Sequence, residues 1–277
     1  MATKLRTFRL SIDKNSRDVA RLDACSQKYA GLWLSTLPRS AGMVLDDISI
    51  RIAFCLRFGI NPFIYEAHSQ PIRCKHHNSN MHSCRTTDLR DNPFHCLHCL
   101  FNNKTGRNAM HDRVLAHLVD LLKTCGGTHV SALPKGFHGV DKDGNKIDRA
   151  QPDGIAYLHD GSWLFDVRGV DTTSAAYIEI NKHDQNKAYE YANADKITKY
   201  QATATRTNCK FAPFVFNVHG GLSSSAIDFV NKALRQKRFL PPGVSKQQLN
   251  YDKLTELVVS IMRFNADIIL EAHRVAL

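Results

Sequence analysis

The sequence predicts a mixed α/β fold, and three observations support this class. Between Met110 and Val218 the hydrophobic pattern indicates, in order, a helix, three strands, a helix and a strand. Helical patterns lie on both sides of this core. The chain has 277 residues, of which 43% are hydrophobic. It is therefore long enough to bury the core of one large domain, or of one domain with an attached module.

The first elements are predicted to be helices. From Ser16 to Pro38, apolar residues recur at loose helical spacing, and the proline ends the run. The stretch LDDISIRIAFCLRFG, residues 45–59, is ambiguous because its apolar residues alternate as they would in a strand. Its Asp46 start and its Gly59 stop are typical of a helix, and we favour the helix.

The core is predicted to begin with a helix in MHDRVLAHLVDLLKTCGG, residues 110–127, whose leucines share one face and which ends at two glycines. THVSALP, residues 128–134, follows as a strand. Two further strands, at about 154–158 and 163–170, are separated by HDGS as a hairpin turn.

The second half of the core continues with a predicted helix over about 184–205. FAPFVFNV, residues 211–218, then has the composition of a buried strand. Two more helices are expected to close the chain, the last of them within residues 252–274.

The charge balance favours a polyanionic partner. There are 37 Lys and Arg residues against 26 Asp and Glu, with a net charge of +11 and a pI near 9.3. This indicates nucleic acid, although a generically basic protein would show the same excess. The N-terminus lacks the apolar core of a signal peptide, and no run approaches the ~20 apolar residues that span a bilayer. We therefore expect an intracellular protein without a membrane segment, in the nucleus or the cytoplasm.

Potential metal ligands are concentrated in one segment. Four of the eight cysteines and five of the fourteen histidines lie between Cys74 and Cys99. In an intracellular protein the thiols are expected to be reduced, so metal binding explains this density better than disulfides do. The alternative is a set of surface histidines with half-buried free thiols.

Two acids lie in the adjacent predicted strands of QPDGIAYLHDGSWLFDVRGVD, residues 151–171. Asp153 follows a proline, and Asp166 begins the triplet Asp-Val-Arg after a gap of twelve residues. Because strand residues alternate between faces, Asp166 and Arg168 point the same way, and a hairpin can bring Asp153 beside them. Two carboxylates that converge in this way can hold a magnesium ion, which activates water for attack on phosphorus. The alternative is a turn residue and a hydrogen-bonded acid at a strand edge.

This pattern resembles the P-D-x(n)-(D/E)-x-K signature of restriction-like nucleases. The whole chain is similar to the C-terminal part of non-LTR retrotransposon polyproteins, from beyond the reverse transcriptase through the restriction-like endonuclease domain. The matching stretches include AGLWLSTLP, the Cys/His segment, the core helix, AYEYANADKITKY and FAPFVFNVHGGLSSSAIDF. The resemblance implies a restriction-endonuclease-like αβββαβ core, a helical N-terminal region and a small zinc module.

The resemblance also implies site residues. The lysine of the signature is displaced onto the following helix as Lys196, with Tyr200 one turn later. Arg168 stands where the signature has lysine, and arginine can stabilise a phosphate but is a poor base. Ser131 stands where the family often has a glutamate, which leaves the metal shell with one acid fewer.

For the zinc module the resemblance suggests a Cys-x-His pair, Cys74 and His76, with a His-x-x-x-Cys pair, His95 and Cys99. Two sulfur and two nitrogen ligands in a tetrahedron form a closed structural zinc site. Four neighbouring residues are credible substitutes: His77, Cys84, Cys96 and His98.

Three further features have simpler interpretations. Asp112 beside His111, at the expected start of the core helix, can be an N-terminal cap or part of a phosphate contact. Gly220 and Gly221 are best explained by a turn from strand to helix. The basic run 235–238 is best explained as a solvated helix end.

These features predict three regions: a helical N-terminal region (1–67), a Cys/His zinc module (68–104) and a restriction-like nuclease core with C-terminal helices (105–277). The predicted function is a magnesium- or manganese-dependent endonuclease that acts on DNA. Asp153 and Asp166 bind the metal, Lys196 and Arg168 position water and phosphate, and Tyr200 donates a hydrogen bond in the site. Two alternatives remain: a nucleic-acid-binding protein that has lost catalysis, and a scaffold for protein interactions that leaves the basic charge unexplained.

Overall fold

The computed structural model describes most of the chain, namely residues 17–62, 71–76, 84, 87–99, 107–125, 127–132, 134, 136–141, 143–147, 150–181, 186–235 and 242–273. Within these ranges there are nine α-helices, one 3-10 helix and four β-strands. The helices are α1 (Arg17–Ser26), α2 (Leu32–Ser35), the 3-10 helix (Ala41–Met43), α3 (Asp47–Phe58), α4 (His95–His98), α5 (Arg107–Thr124), α6 (Ala175–Ile180), α7 (Lys187–Arg206), α8 (Ser224–Arg235) and α9 (Lys246–His273). The strands are β1 (Thr128–Ala132), β2 (Gly154–Leu158), β3 (Gly161–Val170) and β4 (Lys210–Asn217).

The four strands form one mixed sheet in the order β1-β2-β3-β4. The first two pairings are antiparallel, and β3 pairs with β4 in parallel. The parallel pairing requires a crossover, which α7 supplies together with the short helix α6. The predicted mixed α/β class is confirmed, and the predicted sequence of core elements is present, with α6 as an addition that the pattern did not indicate.

The ambiguous stretch in the N-terminal region is the helix α3. Its N-cap is Asp46, whose Oδ1 accepts a hydrogen bond of 2.8 Å from the backbone N of Ser49. Its C-cap is Gly59, with φ of 71°. The capping residues therefore indicated the element correctly, whereas the alternation of apolar residues did not.

The predicted helical run from Ser16 to Pro38 was wrong as one element. It forms the two helices α1 and α2, separated by turns over residues 27–31. Tyr29 has φ of 75°, a left-handed conformation that interrupts helical hydrogen bonding. The predicted start of the crossover helix, at about residue 184, lies outside the described residues, and α7 begins at Lys187.

The two faces of the sheet are covered differently because residues of β3 alternate. Trp163, Phe165 and Val167 face the main core, which α5, α8 and α9 also build. Leu164 and Val170 belong to smaller clusters on the opposite face, where α7 packs. Even-numbered residues of β3 therefore face α7, and this decides where the polar residues of the strand lie.

The Cys/His segment shares the main core. Among the described residues of the predicted region 68–104, the buried side chains of Ile72, Leu89, Phe94 and Leu97 belong to the same cluster as α5 and α9. The backbone N of Lys75 also donates to Ala272 O at 2.9 Å. The boundaries of the three predicted regions stay a prediction.

Gly154, directly after Asp153, is required by the packing of β2 on β3. It pairs with Phe165, and a Cβ at Gly154 would lie 2.1 Å from Cζ of that ring. We expect Gly154→Ala to lower the free energy of unfolding by about 1–3 kcal/mol, because the buried ring must move. Chemical denaturation would measure this. Gly31→Ala is the control, since its Cβ would meet only an ordinary contact at 3.7 Å, and equal stability of both variants would contradict the prediction.

Candidate active site and candidate metal centre

Strand β3 and helix α7 bring the predicted site residues together. Asp166 and Arg168 lie on the face of β3 that α7 covers, and both contact that helix. Asp166 forms an ion pair with Lys196, with Oδ2 and Nζ 2.5 Å apart. Arg168 forms an ion pair with Asp195, the preceding residue of α7. Two consecutive residues of α7, Asp195 and Lys196, thus form ion pairs with Arg168 and Asp166 of β3.

Asp166 is a buried carboxyl group, with 2% of its surface exposed. Burial is the largest influence on its pKa and raises it, and the nearby charge of Asp153 raises it further. The ammonium of Lys196 acts in the opposite direction. A divalent cation would stabilise the ionised form in the same way that Lys196 does.

One carboxylate oxygen of Asp153 accepts hydrogen bonds from two donors. Its Oδ2 accepts a hydrogen bond of 2.7 Å from the backbone N of Val167 and one of 2.9 Å from Nε2 of His111. The first bond joins the residue before β2 to the middle of β3. The second joins it to α5, and the hydrogen bond to Asp153 raises the pKa of His111 to about 9.

His111 therefore has a larger role than the sequence indicated. Its Nδ1 lies 3.1 Å from Asp112 Oδ1. Helix α5 already begins at Arg107, so Asp112 is not its N-terminal cap. The pairing of His111 with Asp153 spans 42 residues, and no local spacing in the sequence could indicate it.

Tyr200 and Arg168 make further contacts at the site. The hydroxyl of Tyr200 donates to Gln151 O at 2.9 Å, two residues before Asp153. Burial raises the pKa of Tyr200 above its ordinary value, and the charge of Asp166 adds to this effect. Arg168 Nη2 donates to the hydroxyl of Tyr177, in α6, at 3.2 Å.

A single cleft of about 500 Å³ connects these side chains. All five predicted residues of the active site line it: Asp153, Asp166, Arg168, Lys196 and Tyr200. His111 and Tyr177 line the same cleft, and it continues to His98 and Asp171. The sequence analysis predicted the first five of these residues, but not the hydrogen bonds and ion pairs that fix their side chains.

The carboxylates of Asp153 and Asp166 both line the cleft. Among the residues described, no three potential ligands in the cleft lie within 4.8 Å of one another. A cation at Asp153 and Asp166 would therefore complete its shell with water and phosphate oxygens, as magnesium commonly does. Ser131, at the position where the sequence resemblance led us to expect a glutamate, is exposed, and its hydroxyl donates to Ala132 O at 3.2 Å.

A second group of ligands forms a compact cluster that could hold a metal ion. Ligand atoms of Cys74, Cys84, His95 and Cys99 all lie within 4.8 Å of one another. The Sγ atoms of Cys74 and Cys99 are 3.8 Å apart, and Sγ of Cys84 is 3.2 Å from Nε2 of His95. The three cysteines are 0–4% exposed. Three thiols and one imidazole in a closed, buried set suit a tetrahedral structural site.

Three of the four predicted zinc ligands belong to this cluster, and His76 does not. Nε2 of His76 lies 3.1 Å from Ile268 O, in α9. Cys84, one of the credible substitutes, takes the fourth place, and its backbone N donates to His76 O at 2.8 Å. The neighbour Cys96 is buried outside the cluster. His77 lies outside the described residues.

The remaining candidates have structural roles or cannot be placed. Gly220 has φ of 84°, and Oδ1 of Asn217 accepts hydrogen bonds from His219 N and Gly221 N. This is a turn from strand to helix, as predicted. Arg235 ends α8, and residues 236–238 lie outside the described residues.

In the described part of the chain, none of the helices has both the length and the apolar character needed to cross a membrane. No protein-family model matches the sequence, and no curated protein is significantly similar to it.

Proposed function

We propose that this protein is a magnesium- or manganese-dependent endonuclease that hydrolyses phosphodiester bonds in DNA, with a restriction-like core. The observation that carries this proposal is the convergence of Asp153, Asp166 and Lys196 in one cleft. An acid after a proline, an acid in the next strand and a lysine from the crossover helix form the arrangement that the sequence resemblance implies. The excess of basic residues provides the attraction to a phosphate backbone.

In this proposal Asp153 and Asp166 hold the cation. The ion supplies an acidified water and charge stabilisation at the phosphate. Val167 N and His111 both occupy Oδ2 of Asp153, so its Oδ1 is the oxygen with fewer partners. Lys196 is positioned beside Asp166 to orient the phosphate and the attacking water.

The other cleft residues orient this group. Tyr200 holds the segment before Asp153 by its bond to Gln151 O. Arg168 adds positive charge for the phosphate, but Asp195 partly neutralises it. Since arginine remains protonated, Arg168 stabilises charge and does not act as a base.

We propose that the second cluster binds structural zinc through Cys74, Cys84, His95 and Cys99. The hydrogen bond to Cys99 and burial both raise the pKa of Cys74 above its ordinary value. Zinc binds the thiolate form, so its charge would reverse this effect. Because zinc binds thiolates, metal binding at the cluster should release protons.

Incubation of the purified chain with supercoiled plasmid tests the enzymatic proposal. We expect nicked and linear DNA with magnesium or manganese, and none with excess chelator, because the cation supplies the activated water. Single-stranded DNA should be tested in parallel as a second substrate. If neither substrate is cut by protein free of contaminating nuclease, the proposal is wrong.

A nucleic-acid-binding protein that has lost catalysis is the second candidate. The observation in its favour is that each acid already has a basic partner: His111 for Asp153, and Lys196 for Asp166. Arg168 in place of a lysine and Ser131 in place of a glutamate also favour this second candidate. This candidate becomes the better one if the chain binds DNA but does not cut it.

DNA binding is expected to be largely electrostatic and weakly selective for sequence. The chain has a net charge of +11, and no base-reading motif stands out. Affinity for a short duplex should fall steeply between low and physiological salt, because bound cations are released from the phosphates. Fluorescence anisotropy in a salt series would measure this. A flat salt dependence would favour an interaction scaffold instead.

A further inference from the structure

The metal centre and the cleft share one short element, α4. This single helical turn, His95–His98, begins at one cluster residue and ends directly before another, Cys99. Two of its side chains, Leu97 and His98, line the cleft. This one helical turn therefore belongs both to the metal centre and to the wall of the cleft.

His98 connects this turn to the end of β3. Its Nδ1 lies 2.9 Å from Oδ2 of Asp171, and the two side chains are 20% and 8% exposed. The other carboxylate oxygen of Asp171 accepts hydrogen bonds from the backbone N and the hydroxyl of Thr173, at 2.9 and 2.6 Å. Both carboxylate oxygens of Asp171 thus have hydrogen-bond partners, one in α4 and the other in the loop that follows Asp171.

The loop at Asp171 leads back to the candidate active site. Asp171 lies five residues after Asp166, which is about 17 Å along an extended strand. The backbone N of Ser174 donates to Asp171 O at 3.1 Å. Helix α6 follows, and its Tyr177 hydroxyl accepts the hydrogen bond from Arg168.

The Cys/His segment is also attached on its opposite side. Lys75 Nζ donates to His273 O at 3.2 Å, and His76 contacts Ile268 O. Both acceptors lie in α9, and Ile268 itself lines the cleft. The segment therefore lies between α9 and the end of β3, and α4 is the part of it that faces β3.

We infer that His98 and Asp171 are positioning residues that couple metal binding at the Cys/His cluster to the geometry of the cleft. The metal fixes both ends of α4, α4 holds His98 on Asp171, and Asp171 holds the loop that supports Tyr177 and Arg168. The effect on catalysis rests on the proposed nuclease function, whereas the effect on metal binding rests only on the proposed zinc site. Because coupling is reciprocal, a contact that metal binding stabilises must itself strengthen metal binding.

Metal affinity of the 277-residue chain is the test that does not depend on catalysis. Titration with cobalt(II), followed by its thiolate absorption, and competition with zinc would give the affinity of the cluster. We expect Asp171→Ala and His98→Ala each to weaken it by up to about 10-fold, the lower end of the effect of losing a group that hydrogen-bonds to a metal ligand, because this pair acts on the ligands only through α4. His98→Asn should restore most of it, because its amide can donate to Asp171 as Nδ1 does. Asp228→Asn, on the exposed face of α8, is the control.

The outcomes separate this inference from the proposed function. If the alanine variants weaken metal binding and the unsubstituted chain cuts no DNA, the coupling stands and the nuclease proposal fails. If the unsubstituted chain cuts DNA, both variants should also lower kcat at saturating magnesium. Unchanged metal affinity in both folded variants would overturn the inference, whatever the cleavage result. If Asp171→Ala fails to fold because the side chain of Asp171 is only 8% exposed, the variants of the more exposed His98 decide.

Discussion

Loss of either cleft acid is expected to abolish cleavage while leaving DNA binding intact. Asp153→Asn and Asp166→Asn keep the shape of each side chain and remove its negative charge. We expect each to reduce magnesium-dependent nicking by roughly 1000-fold or more, because the cation that supplies the activated water loses a ligand. Affinity for DNA should be unchanged or tighter, since a repulsive charge is removed. Initial rates of plasmid nicking and anisotropy on the same preparations would measure both effects.

The basic residues of the cleft give the matched comparison. Lys196→Ala should lose most activity, whereas Arg168→Lys should retain or raise it, because lysine restores the residue of the signature. Asp228→Asn, on the exposed surface of α8, should behave as the unsubstituted chain. If the cleft variants cut DNA as fast as this control, the catalytic assignment of Asp153 and Asp166 is wrong.

Substitution of the metal-centre ligands is expected to have the second large effect. Cys84→Ser should lower zinc affinity by more than roughly 10- to 100-fold, the effect of losing a group that hydrogen-bonds to a metal ligand. The reason is that this substitution removes a thiolate that binds the metal itself. Zinc content by elemental analysis, with chelators avoided, should fall from about one per chain to less than half. Thermal stability should fall with it, since part of the folding free energy of this segment is metal-binding free energy.

His76 supplies the decisive contrast, because the resemblance implied it as a ligand and the structure places it against α9. His76→Gln should keep zinc near one per chain, while it removes or weakens the contact with Ile268 O. Cys209→Ser, at a half-buried cysteine outside the cluster, is the control for loss of a thiol. Full zinc content in Cys84→Ser with loss of zinc in His76→Gln would restore the ligand set that the resemblance implied.

The order of the core elements could be predicted because the information is local. Helix α3 has its capping residues within its own stretch, and the alternation of β3 places Asp166 and Arg168 on one face whatever surrounds the sheet. The concentration of thiols and imidazoles between Cys74 and Cys99 is likewise a property of the sequence. These features determined the α/β class, the candidate acids and the presence of a possible metal centre.

Only the tertiary structure decided which of these groups meet. His111 and Asp153 are 42 residues apart, and His98 and Asp171 are 73 apart. Cys84 replaces His76 in the cluster because α9 provides a carbonyl for the histidine. Each of these contacts depends on how α4, α5 and α9 pack against the sheet, and packing is set by the buried side chains of the whole core rather than by spacing within any one segment.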